Sequence, residues 1–109
     1  MPDAPDFDDS ERSHMFVVLL RFSANKAAAE QHMPGHREWI ERGVDDGVFL
    51  LVGGIQPGQG GAIVAHGTSR ADLESRVAAD PFVAEDVVSA EIVEIAPWLA
   101  DDRLKFLLA

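Results

Sequence analysis

The sequence predicts an α+β domain, an antiparallel sheet carrying its helices on one face. Three observations lead there. Four apolar runs of strand length and two amphipathic stretches follow in the order strand, helix, strand, strand, helix, strand. Glycine and proline punctuate the joins, at Gly47, Gly53-Gly54, Pro81 and Pro97. The chain's 109 residues, 47% hydrophobic and 26% charged, have the size and composition of one ordinary globular domain. This element order is the split βαβ arrangement of ferredoxin-like domains.

Each element has a local reason. Residues 1–14 hold five acidic side chains against Arg12, with two prolines and almost nothing apolar. Such a segment buries too little surface to offset its ordering entropy, so a disordered acidic extension is expected, with a single domain over 15–109. Met15 to Phe22 is a continuous apolar run of strand length. Ser23 to Gln31 is alanine-rich and reads as loop or a helical turn. Pro34 then suits the first position of a helix, where its missing N–H would be unpaired anyway. At about 100° per residue, His36, Trp39, Ile40, Gly43 and Val44 share one arc, and Arg37, Glu38, Glu41, Arg42, Asp45 and Asp46 take the opposite one. That helix ends near Gly47.

Val48 to Val52 reads as the second strand, stopped by Gly53-Gly54, with a long turn over 54–61. Ala62 to His66 is the third. Ser69 followed by Asp72 resembles a capping box, and Leu73 and Val77 mark the inward face of the second long helix. This helix stops by Asp80, because a residue before proline is pushed out of the helical region. Pro81 to Asp86 is expected as one helical turn, Val87 to Ala96 as the fourth strand, and 101–108 as a short terminal helix.

The first strand is apolar on both sides: Phe16, Val18 and Leu20 on one, Val17 and Leu19 on the other. A sheet with one wet face alternates instead. Two helices cover one face, so the other needs its own cover. A second copy of the chain is the simplest, giving a face-to-face homodimer, with a higher oligomer of dimers left open.

Several function classes are excluded or disfavoured. No run approaches the roughly 18 apolar residues of a membrane span. There is no cysteine, hence no thiolate nucleophile and no cysteine-ligated metal. Nine basic against nineteen acidic residues give a net charge of −10, which argues against nucleic acid as a partner. No G-x-G-x-x-G, Walker or G-x-S-x-G pattern occurs. With no secretory leader legible, a cytoplasmic location is expected.

His36, near a helix start and on its sheet-facing side, is the first candidate for chemistry. A neutral imidazole can exchange a proton near neutral pH, although a packed histidine bonded to a backbone carbonyl fits the same pattern. Asp80 is the second. Asp80-Pro81-Phe82-Val83 reads as an N-cap with proline at the first helical position, and a carboxylate so fixed can also orient a histidine. Whether the two meet is a tertiary question. His32 and His36 have metal-pair spacing, but Pro34 places His32 ahead of the helix, so no metal site is expected. Arg21, Trp39, Gly53 and His66 are the candidate substrate-binding residues. Arg21 serves there unless one of the many carboxylates holds it.

His36-Arg37-Glu38-Trp39-Ile40, the strand with Gly53, Asp80-Pro81-Phe82-Val83 and the closing Ala96-Pro97-Trp98 together resemble the YciI-like (YCII-related) family. The resemblance runs from about Met15 to Trp98. It implies a ferredoxin-like dimeric α/β-barrel in which His36 and Asp80 form a dyad lining a pocket. Scaffolds of this kind serve muconolactone isomerases, dehydrohalogenating lyases and cofactor-independent monooxygenases. Similar sequences often carry an arginine three residues before the histidine, where this one has Met33. If that arginine helps hold an anion, its absence counts against a carboxylate-bearing substrate. The expected function is a cofactor-independent lyase or isomerase moving a proton on a small molecule. The alternatives are a non-catalytic ligand-binding dimer and a monooxygenase on the same scaffold.

Overall fold

The computed structural model describes residues 14–108. The expected acidic extension therefore lies, but for His14, outside the described residues. Four strands, β1 (Met15–Phe22), β2 (Phe49–Ile55), β3 (Gly60–His66) and β4 (Val88–Ile95), form one antiparallel sheet in the order β2-β3-β1-β4. Helix α1 (Ala29–Asp45) joins β1 to β2. Helices α2 (Arg70–Ala78) and α3 (Pro81–Ala84) join β3 to β4. The predicted α+β class, element order and sheet polarity are all observed.

The core lies between the sheet and the helices. Phe16, Val18 and Leu20 of β1 are almost completely buried, with Ile63, Ala65 and Val88 beside them in the sheet. Trp39, Leu73, Val77 and Phe82 close over them from the helices. Each such side chain contributes roughly 1.5–3 kcal/mol through its removal from water. Gly43 sets how closely α1 approaches, since a Cβ there would stand 2.1 Å from the Phe49 ring. Trp39 and Gly43 thus form the line of closest approach. Val44, one step further round, is about half exposed rather than part of the buried arc.

Helix α2 begins as its sequence implies, with the Ser69 hydroxyl accepting from the Asp72 amide at 3.1 Å. Helix α1 does not. It starts at Ala29, after a 3₁₀ turn over Lys26–Ala28, and Pro34 lies inside it. An interior proline removes a backbone bond and costs about 3 kcal/mol. The alanine-rich stretch favours helix, and Ala28 and Ala29 pack against the core, which together outweigh that cost. His32 therefore lies on α1, one turn before His36, and His36 sits two turns in from the helix start rather than at its amide end.

The second correction concerns the β2–β3 hairpin. Gly53 and Gly54 do not end β2. They continue the ladder, Gly53 opposite Ala62 and Gly54 opposite Gly61. The expected eight-residue turn shrinks to residues 56–59. At the chain's end the short helix over 102–108 is of the tight 3₁₀ kind.

The sheet face away from the helices carries Val17, Val64 and Val93 in one cross-strand row, with Leu51 beside Val64. Leu51 is 65% exposed and Val93 38%. This row is apolar and partly open to solvent.

Candidate functional site

Helix α1 carries His36 toward α3, whose first turn is built by Asp80 and Pro81. The Asp80 carboxylate caps that turn, Oδ1 accepting from the Phe82 amide at 3.0 Å. Close approach of the two helices rests on Gly35, where a Cβ would stand 3.0 Å from the Pro81 ring. As a result His36 Nδ1 lies 2.8 Å from the same Oδ1, across 44 residues of sequence.

Both partners are held. Asp80 is fully buried, and its other oxygen, Oδ2, has no hydrogen-bond partner among the described residues. The His36 ring stacks flat on Phe82, with centroids 3.9 Å apart and planes 3° from parallel. Trp39 flanks it at 5.9 Å and is itself pinned by its indole N–H, which donates to the Arg76 carbonyl at 2.9 Å. Since a carboxylate oxygen accepts at Nδ1, that nitrogen carries the hydrogen, and Nε2 of the neutral ring keeps its lone pair. No described residue hydrogen-bonds Nε2.

Beside His36 opens a cleft of about 470 Å³. Met33, His36, Arg37 and Ile40 of α1 form one side of it, with Phe82 and Val88 adjoining. Leu20 and Phe22 line it from β1, and Gly53, Gly54, Gly60 and Gly61 from the hairpin. The walls are largely apolar, which strengthens any polar interaction made within them.

The candidates from sequence divide between this cleft and other places. His36 and Gly53 line it, and Asp80 stands behind His36. Trp39 supports the imidazole but opens onto a neighbouring cleft of about 550 Å³, shared with Arg42 and Arg76. Arg21 projects from the open sheet face and pairs with Glu91 at 2.8 Å. His66 lies on that face too, its ring edge-to-face with Phe106. Met33, Arg37 and the second pair of hairpin glycines line the cleft without having been expected there. For the glycines a signal existed: doublets at 53–54 and 60–61 bracket a short turn symmetrically. Among the described residues no group of three or more His, Asp or Glu is placed to hold a metal ion.

A family model of the YCII-related domain matches residues 15–99. The chain belongs to the YCII-related family. No curated protein matches it. Among solved structures, this YCII-related chain is similar to 5-chloro-2-hydroxyhydroquinone dehydrochlorinase, TftG, of Burkholderia phenoliruptrix AC1100, solved in complex with 2,5-dihydroxybenzoquinone. That likeness has a TM-score of 0.63 at 12% identity, covering 82% of this chain and 97% of the other. It is also similar to MtbAldR, with a TM-score of 0.54 at 11% identity, over 90% of this chain and 63% of that one. At such identities the structural likenesses show the fold alone.

Proposed function

We propose that this YCII-related protein is a cytoplasmic, cofactor-independent enzyme of lyase or isomerase type, in which His36 transfers a proton on a small molecule and Asp80 orients it. The observation carrying this reading is the 2.8 Å contact between Nδ1 and a fully buried carboxylate, beside a cleft and with Nε2 unpartnered among the described residues. Asp80 fixes the tautomer and offsets the charge of the imidazolium that forms when Nε2 takes a proton. The proton then returns to another atom of the substrate, for isomerisation, or follows a leaving group, for elimination. Positioned acid–base catalysis of this kind supplies roughly 10²–10⁴ in rate. A non-catalytic module calls for a histidine bonded to backbone and sealed in, whereas this ring bonds a carboxylate and lines a cleft. TftG, named as a dehydrochlorinase of a hydroxylated ring, supports trying hydroxylated quinols first and lactones second.

The reading includes a homodimer closed over the open sheet face. The apolar row through half-buried Val17 and Val64, extended by exposed Val93 and Leu51, supports it, since a lone soluble subunit rarely shows such a patch. Arg21 and His66 would lie at that interface.

The test is turnover by His36→Ala and Asp80→Ala on whichever trial substrate the wild type consumes, with circular dichroism confirming the fold. Both variants should lose about 10²–10⁴ in kcat. Near-wild-type turnover in both removes the reading.

A further inference from the structure

Lysine and arginine are scarce in this acidic chain, and most are held by carboxylates. Arg21, Arg42, Arg70, Arg76, Arg103 and Lys105 each have a carboxylate oxygen 2.8–3.3 Å away. Among the described residues, Lys26 and Arg37 have none. Of the two only Arg37 is a lining residue of the His36 cleft, and Lys26 adjoins it through one wall. Arg37 lines the cleft beside His36, and the Lys26 ammonium lies 5.0 Å from the ring centroid of Phe22, a wall of that cleft.

With nineteen carboxylates in the chain, an unpaired cation is the exception. A net charge of −10 also repels anions at long range, so any site that takes one needs positive charge close by. We infer that the His36 cleft binds an organic oxyanion: a small molecule with a carboxylate or ionised hydroxyl held by Arg37 and Lys26, and an apolar or aromatic body against Phe22, Ile40 and Phe82. This deepens the acid–base reading and rests on it for the location. Arg37 stands one helical turn on from Met33, and both line the cleft, so this side of α1 presents a guanidinium to it.

Benzoate and its neutral isostere benzamide are the probes, with dissociation constants measured by NMR titration of the full chain. Benzoate should bind at least tenfold tighter than benzamide, and less tightly as salt rises. Arg37→Gln should weaken benzoate about tenfold, the scale of one charge-assisted hydrogen bond at a partly exposed site, and leave benzamide unchanged. Arg37→Lys should recover part of the loss, and Lys26→Gln should add to it. Equal affinity for the two probes, no detectable benzoate binding, or indifference of benzoate to Arg37→Gln overturns the assignment. Those results leave the proton-transfer reading standing. Conversely, full turnover in both His36→Ala and Asp80→Ala removes that reading while a benzoate preference survives.

Discussion

Gly54 and Gly61 face each other across the β2–β3 hairpin and together leave the space near His36 without side chains. Both share the helix-facing side of the sheet with Leu20, which is paired with Gly61. Neither glycine has a positive φ, so neither is needed for backbone conformation. A Cβ on Gly54 would meet nothing nearer than 3.5 Å. The absence of side chains here makes room rather than relieving strain.

Gly54→Val is therefore expected to fold, with stability within about 1 kcal/mol of wild type, since valine suits a strand better than glycine does. Its side chain would occupy part of the cleft. Ligand affinity and kcat/KM should fall at least tenfold while the thermal midpoint holds. Gly43→Ala is the contrast: there the added methyl meets the Phe49 ring, and overpacking should cost about 1–3 kcal/mol. Thermal melts and steady-state kinetics on both variants check the pair. Unaltered kinetics in Gly54→Val would mean that the cleft is not where substrate sits.

Glu94 gives the fold a pH dependence of known sign. Its carboxylate accepts from His14 and from Arg70, at the far end of the sheet from the cleft. The hydrogen bond from His14 does most to hold its pKa below the ordinary glutamate value; desolvation opposes it, and the bond from Arg70 and the two positive charges add to the lowering. A carboxylate whose pKa is lower folded than unfolded contributes stability above the unfolded value, and that contribution disappears as pH falls through the folded one. The side chain is about one-third exposed, so solvent screening keeps the contribution within the roughly 0.2–1 kcal/mol of exposed ion pairs. Glu94→Gln should be slightly less stable than wild type at pH 6, and the gap should narrow as pH falls below the ordinary glutamate value and vanish once the folded carboxylate is protonated. Urea melts across that pH range measure it. A constant gap would place the origin in packing rather than charge.

What the sequence made legible, and what it did not, divides by the range of the interaction. The strand order of elements, the Ser69 and Asp80 caps and the inward faces of α1 and α2 follow from periodicity and from side chains acting within a few residues. The N-terminal boundary of α1 is misplaced by sequence because Pro34 is a strong local signal, and it takes packing of Ala28 and Ala29 on a distant core, added to alanine's helix preference, to outweigh it. Gly53-Gly54 read as a stop because a glycine pair weakens a strand on its own, whereas cross-strand pairing with Ala62 and Gly61 supplies what it lacks. The approach of His36 to Asp80 depends on Gly35 meeting Pro81, and nothing near either residue in sequence announces that contact. Cleft lining is equally non-local: Arg37, on the outward arc by helical periodicity, borders the cleft together with the glycines of the distant hairpin.

The open sheet face makes the last prediction. Burying Val17, Val64, Val93 and Leu51 against a second copy would remove a continuous apolar surface from water, at about 25 cal/mol per Å². Stable protein interfaces bury around 800 Å² per partner, of the order of what one face of a four-stranded sheet can offer. Sedimentation of the full chain should accordingly give a dimer. Leu51→Glu combined with Val93→Glu places like charges on that face, and a symmetric pair would bury four of them in one apolar interface, so the variant should sediment as a folded monomer with a lower thermal midpoint. Because the His36 cleft lies on the opposite side of the sheet, benzoate affinity in the monomer should stay within about threefold of wild type, a change of under 1 kcal/mol. A wild-type monomer at micromolar concentration would remove the dimer. A large loss of affinity in the monomer would instead mean that the second subunit helps complete the cleft.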